Sequence, residues 1–140
     1  MTKYSLDRFV NIQKLHFNQA KNELLNKRKD THWMWYIFPQ IRGLGKSIMS
    51  NYYGIDNLEE AQAYCRKKFL RTNLMSLCEI LLSYNESIKI EQVFGITDTK
   101  KLQSSMTLFF LATKKIIFKN VLDKFFNGCL DKQTMLLLNI

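Results

Sequence analysis

Trp33, Trp35, Tyr36 and Phe38 follow His32 within a few positions, and Arg42, Lys46 and Ser47 come just after them, with Gly43 and Gly45 between the cations. Flat aromatic rings stack on a nucleobase. Glycine lets backbone amides approach an anion, and arginine or lysine adds charge-assisted hydrogen bonds to a phosphate. The stretch from His32 to Ser47 therefore carries the parts of a site for a phosphorylated ring compound. Trp33, Trp35 and Tyr36 are its candidate stacking groups, and Gln40, Arg42, Gly43, Gly45, Lys46 and Ser47 its candidate polar contacts. His32, an imidazole, is a candidate acid or base. Gly45-Lys46-Ser47 ends like a P-loop, but Gln40 stands where that pattern needs its first glycine and Pro39 precedes it, so a nucleotide-hydrolase loop of that kind is excluded.

A second cluster runs from Asp98 to Thr107. Lys101 offers a charge, and Ser104, Ser105 and Thr107 offer three hydroxyls for phosphate or ribose. Ser105 would be a nucleophile only with a base at hand, and the spacing supplies none. Asp98 reads as a helix cap or as a carboxylate for proton transfer. Glu60 reads as a helix-start residue or as a second such carboxylate.

The competing use of these residues is burial. If the tryptophan segment is helical, Trp33 and Tyr36 share a face and Trp35 points away; if it is extended, Trp33, Trp35 and Ile37 share one instead. Hydroxyls inside a helix also bond back to their own backbone.

The elements that must hold these groups are helices. Leu6, Phe9, Val10, Phe17, Ala20, Leu24 and Leu25 recur at helical spacing, which predicts a helix from Ser5, as cap, to about Lys29. Pro39 interrupts the segment carrying the tryptophans, and Gly43 and Gly45 permit a turn after it. Asn57 to Glu60 has the spacing of a helix cap. Leu70, Leu74, Leu77, Cys78, Leu81 and Leu82 mark an amphipathic helix ending near Tyr84. Residues 88–94 are ambiguous between strand and helix. Asp98 starts a helix through Phe110, another runs from about Ile117 to Phe126 and stops at Asn127-Gly128, and Asp131 caps a last turn or two. The pattern predicts a mainly α, single compact domain over residues 1–140, with about five to seven helices.

Composition limits the function classes. No apolar run reaches the roughly 18 residues of a membrane span, and the first residues, from Met1 on, lack the apolar core of a secretory leader. A cytoplasmic protein without a membrane partner is the expectation. Cys65, Cys78 and Cys129 are odd in number and form no CxxC pair, so reduced and mostly buried thiols are expected. His16 and His32 are not at metal-ligand spacing from them, so no metal and no cofactor is expected. Twenty-one basic against twelve acidic residues give a net charge of +9, which favours an anionic partner, nucleic acid among them. The charge is scattered over Lys27-Arg28-Lys29, Arg66-Lys67-Lys68, Lys100-Lys101 and Lys114-Lys115 and makes no continuous stripe.

The run His-Trp-Met-Trp-Tyr-Ile-Phe-Pro-Gln-Ile-Arg-Gly-Leu-Gly-Lys-Ser at 32–47 closely resembles the signature of the DUF1810 family. Tyr53-Gly-Ile, Glu60-Ala61, Ala63-Tyr64, Phe94-Gly95, Asp98, Lys101, Ser104-Ser-Met-Thr-Leu-Phe109 and Val121 to Gly128 follow in the family's order. The resemblance implies a small, mainly helical protein and brings no assigned reaction. It also implies a His-Pro pair and an arginine where this chain has Lys67-Lys68 and Asn73. A looser likeness to the helical NADAR proteins, which act on ADP-ribose conjugates, puts the expected ligand in the ADP-ribose or nucleotide class.

The expected site is thus a pocket between the 32–47 segment and the 98–107 helix that binds a phosphorylated, nucleotide-like small molecule. An enzymatic version would use His32, Asp98 or Glu60 in N-glycosidic or phosphate-ester cleavage. A non-catalytic version would sequester or sense the nucleotide. The rival reading is a basic nucleic-acid-binding protein.

Overall fold

A computed structural model describes residues 5–140, so the reading of the extreme N-terminus, Met1 to Tyr4, lies outside the described residues. The order is α1 (Asp7–Leu25), α2 (Met34–Ile37), α3 (Ile48–Tyr52), α4 (Leu58–Arg66), α5 (Lys68–Leu82), α6 (Ile90–Thr113), α7 (Ile116–Phe126) and α8 (Lys132–Leu137). Five of these are long and three are single turns. The only β-type pairing among the described residues is an isolated parallel bridge between Ile41 and Ile55. Among the described residues, no helix is long and apolar enough to cross a membrane.

α6 is the central element. It packs against α7 on one side and α4 on the other, while α5 joins α1 to α7. From Leu102 to Phe109 nearly every residue of α6 is buried, including the hydroxyl residues among them. A helix enclosed on all sides has no solvated stripe. Around it, Phe9, Phe38, Tyr64, Phe109 and Phe118 are sealed from solvent. Each such ring contributes about 1.5–3 kcal/mol by burial.

Several helix ends differ from the sequence expectation. α1 begins at Asp7 with Leu6 at the cap, and Ser5 Oγ accepts from the Asp7 amide at 3.1 Å without capping the helix. It ends at Leu25 because Lys27 takes a left-handed conformation at φ 58° and the Arg28 amide returns to the Glu23 carbonyl. The basic triplet therefore lies beyond the helix. Asn57 caps α4 as expected, its side chain accepting from the Glu60 amide at 2.8 Å. Asp131 likewise caps α8 through the Thr134 amide. Residues 90–94 are helical and continue into α6 across a kink at Gly95, whose φ of 80° and ψ of 166° suit glycine alone. Asp98 consequently lies inside α6, in the first turn after the kink, and is not its cap.

Candidate functional site

The tryptophan segment is helical, and α2 is the short turn that Pro39 allows. Trp33 and Tyr36 face inward and Trp35 faces outward, half-buried. Trp33 is anchored chemically as well as sterically. Its indole N–H donates to Glu23 Oε1 at 3.0 Å, and its ring meets Phe38 and Phe94. Burial alone would raise the Glu23 carboxyl, yet hydrogen bonds from the Thr31 hydroxyl and amide, Trp33 and the Asp30 amide outweigh it and hold the pKa below the ordinary value.

Beyond Pro39 the chain makes an excursion that closes on itself. The Ile55 amide donates to the Gln40 carbonyl and the Arg42 amide to the Ile55 carbonyl, both at 2.8 Å. Arg42 Nε donates to Asp56 Oδ1 and its Nη2 to the Gly54 carbonyl, each at 2.7 Å. Arg8 reaches the same place from α1, donating from Nε to the Tyr52 carbonyl and from Nη2 to the Gly54 carbonyl. Gly54 is required here, since an added Cβ would stand 2.9 Å from the Arg42 Cα.

The inner side of this excursion and the outer side of α6 enclose a cleft of about 490 Å³. Trp35, Gln40, Leu44 and Gly45 line it from the signature segment, with Ser50, Tyr53 and Gly54 from the returning strand of the loop. The opposite wall is α6 from the kink onward, through Ile96, Thr97, Lys100, Lys101 and Ser104. Asp131 and Gln133, at the start of α8, close one end. Lys101 holds its ammonium 5.5 Å from the centre of the Trp35 ring and 3.6 Å from Asp98 Oδ1. Asp98 is tied on its other oxygen to Lys29 at 2.9 Å, which links the cleft wall to the loop after α1. Burial first, and then the neighbouring Tyr52, hold the Tyr53 hydroxyl above its ordinary pKa, so a protonated phenol lines the cleft.

Of the sequence-nominated residues, the structure brings Trp35, Gln40, Gly45, Lys101 and Ser104 to this one cleft. The others have different places. Trp33 and Tyr36 are core rings, inaccessible to a stacking base. Ser105 is fully buried, and Thr107 is buried as a brace, donating to the Gln103 carbonyl and accepting from the Asp131 amide. Neither can meet a ligand, because α6 is enclosed at that level. Glu60 is buried in an ion pair with Arg8 at 3.2 Å and accepts from the Asp56 amide, so its oxygens serve the loop neck. Arg42 also braces that neck and does not line the cleft. Gly43, Lys46 and Ser47 lie on the exposed outer side of the loop, where Ser47 caps α3 by accepting from the Ser50 amide. His32 is exposed before α2 and away from the cleft.

Lys100, Tyr53, Asp131 and Gln133 belong to the cleft and were not nominated from sequence. Lys100 was visible as a member of a charge pair, and Asp131 as a cap. Their convergence depends on α8 folding back along α6, which no local pattern reports. Asn73 is remote from the cleft: it donates to Gln13 Oε1 at 3.0 Å, within a network in which Gln13 binds the Tyr36 carbonyl and the Tyr64 hydroxyl. Cys65 and Cys78 are buried free thiols and Cys129 is exposed. Among the described residues, no group of three or more His, Cys, Asp or Glu side chains gathers as a metal ion requires.

The fold is shared with a solved structure. The crystal structure of the conserved hypothetical protein Rv1873 from Mycobacterium tuberculosis superposes with a TM-score of 0.94 at 40% sequence identity, covering 99% of each chain. No curated protein matches the chain. The model of a family described as a protein of unknown function matches residues 3–138. Signature, fold and near-complete coverage agree, and the chain belongs to the DUF1810 family.

Proposed function

We propose that the cleft binds a phosphorylated, ring-bearing small molecule of the nucleotide or ADP-ribose class, and that it binds this ligand without cleaving it. The observation that carries the reading is the convergence of Trp35, Lys100 and Lys101 on one concave surface. A half-buried indole offers a stacking plane worth about 1–3 kcal/mol per base. Two lysines beside it supply the charge that a phosphate needs. The first turn after the Gly95 kink, through Ile96 and Thr97, adds the positive end of a helix to the same wall. The volume of about 490 Å³ falls in the range of small-molecule sites.

Binding is favoured over cleavage because the three acid and base candidates read from the sequence are spent elsewhere. Glu60 is committed to Arg8, Asp98 to Lys29 and Lys101, and His32 does not reach the cleft. General acid–base catalysis needs such a group within hydrogen-bond reach of the ligand.

Calorimetric titration tests this reading. ADP, ADP-ribose and a mixed-sequence RNA oligonucleotide are titrated at low and high salt, and the recovered nucleotides are chromatographed. The expected result is saturable, weakly salt-dependent binding of a nucleotide that is recovered intact and is lost in Trp35→Ala. Binding confined to the oligonucleotide with a steep salt dependence supports the basic-surface reading instead. Recovery of cleaved nucleotide overturns the non-catalytic assignment.

A further inference from the structure

The cleft contains a carboxylate that a simple anion site would exclude. Asp131 lines the same cavity as Lys100 and Lys101. Its Oδ2 is fully used, accepting from Ser104 Oγ at 3.1 Å, the Thr134 amide at 3.0 Å and Thr134 Oγ1 at 2.6 Å. Its own amide is held by Thr107 Oγ1 at 2.9 Å. The side chain is therefore fixed in position, and among the described residues no donor reaches Oδ1. A rigid carboxylate with one open acceptor oxygen repels a phosphate and attracts hydroxyl or amine donors.

The spacing adds to this. Ser104, which holds Asp131, is one helical turn beyond Lys100 on α6, and its hydroxyl also lies 3.1 Å from the Lys100 carbonyl. Four residues along a helix advance about 6 Å, so the Lys100 backbone and the Ser104 that holds Asp131 stand at different levels of α6, and the lysines and the carboxylate enter the cleft from different points of its wall. A neutral, donor-rich group is called for at one end and an anion at the other.

Resting on the nucleotide reading of the cleft, we infer that Asp131 is its specificity residue: Oδ1 accepts from the free ribose diol and selects a monomeric ribonucleotide whose 2′ and 3′ hydroxyls are unsubstituted. A 3′-phosphate, or the next unit of an RNA chain, would bring a second anion against this carboxylate. The device thus separates free nucleotides from nucleic acid in a protein whose overall charge attracts both.

The test is a calorimetric comparison of AMP, 2′-deoxy-AMP and adenosine 3′,5′-bisphosphate on the wild-type protein and on Asp131→Asn, with thermal melting to confirm that the variant is folded. Asparagine caps a helix as well as aspartate does, so α8 is retained. The expected order is AMP tightest, the deoxy compound weaker by about tenfold or more, and the bisphosphate weakest, as fits loss of a hydrogen bond to a charged acceptor. In Asp131→Asn the penalty against the bisphosphate shrinks. Equal affinity of the wild-type protein for all three overturns the role of Asp131 while leaving the nucleotide site intact, and so does an undiminished penalty against the bisphosphate in the variant. No saturation by any of them overturns the nucleotide reading itself. If the variant does not fold, the wild-type ranking decides.

Discussion

The Lys101 ammonium lies 5.5 Å from the centre of the Trp35 ring, so the half-buried indole and one of the two cleft lysines are a coupled pair. The attraction is electrostatic, between the cation and the ring quadrupole. It pre-arranges the plane and the charge that a phosphorylated ring compound needs. Trp35→Ala is expected to weaken nucleotide binding by about fivefold or more, as loss of one stacked base implies. Its effect on the melting temperature is small, because the ring is not part of the sealed core. Calorimetry beside a thermal melt separates the two effects, and a large stability loss with unchanged binding would contradict the assignment.

Glu60→Ala is expected to be a stability mutation. Its side chain is 4% exposed and that of Arg8 is 2% exposed, so removal of the carboxylate takes a charge partner from a buried guanidinium. Breaking a buried pair from one side costs about 3–5 kcal/mol. Urea denaturation checks this. A loss below about 1 kcal/mol would show that the Arg8 side chain does not depend on Glu60.

Glu23 sets a pH dependence. Its pKa is lower in the folded protein than the ordinary 4.5, so the unfolded chain binds the proton more readily. The stabilisation is fully present above that ordinary value and is lost as pH falls through the folded value. Urea midpoints measured downward from neutrality should fall below about pH 4.5, and Glu23→Gln should fall less steeply over the same window. Parallel curves for the two proteins would remove Glu23 from the acid limb.

Gly95 tests the kink. An added Cβ meets nothing within 4 Å, so any penalty in Gly95→Ala is conformational and not steric. At φ 80° and ψ 166° that penalty is expected to be about 1–3 kcal/mol. If the helix straightens to relieve it, Lys100 and Lys101 shift with the first turn, and nucleotide affinity falls along with the melting temperature. A variant as stable as the wild type would show that the kink is not imposed by this backbone conformation.

The sequence carries the helices in the periodicity of Leu70 to Leu82 and the caps at Asn57 and Asp131, because these signals are local. It carries a third of the cleft lining for the same reason: Trp35, Gln40, Gly45, Lys101 and Ser104 lie in two dense motifs that the fold brings face to face. Trp33 and Trp35 are equivalent by composition, and only the partner of the Trp33 indole, Glu23 on α1, distinguishes a core ring from a cleft ring. Ser104 and Ser105 are adjacent, equally polar and both buried, and only the packing around α6 seals Ser105 completely while Ser104 borders the cleft. Arg42 resembles a phosphate ligand until Asp56 and the Gly54 carbonyl are placed beside it. In each instance the deciding contact is distant in sequence, and single-residue chemistry has no access to it.

The bridge between Ile41 and Ile55 has a consequence for how such a protein can diversify. Its two backbone hydrogen bonds, with the Arg42 and Arg8 side chains both donating to the adjacent Gly54 carbonyl, staple the neck of the loop. Loops with adjoining ends tolerate changes in content at little thermodynamic cost. Descendants of this chain can therefore exchange residues 43–52, lengthen them or replace Leu44, and so present a different wall to the same pair of lysines. The helical frame would be inherited while the ligand changes.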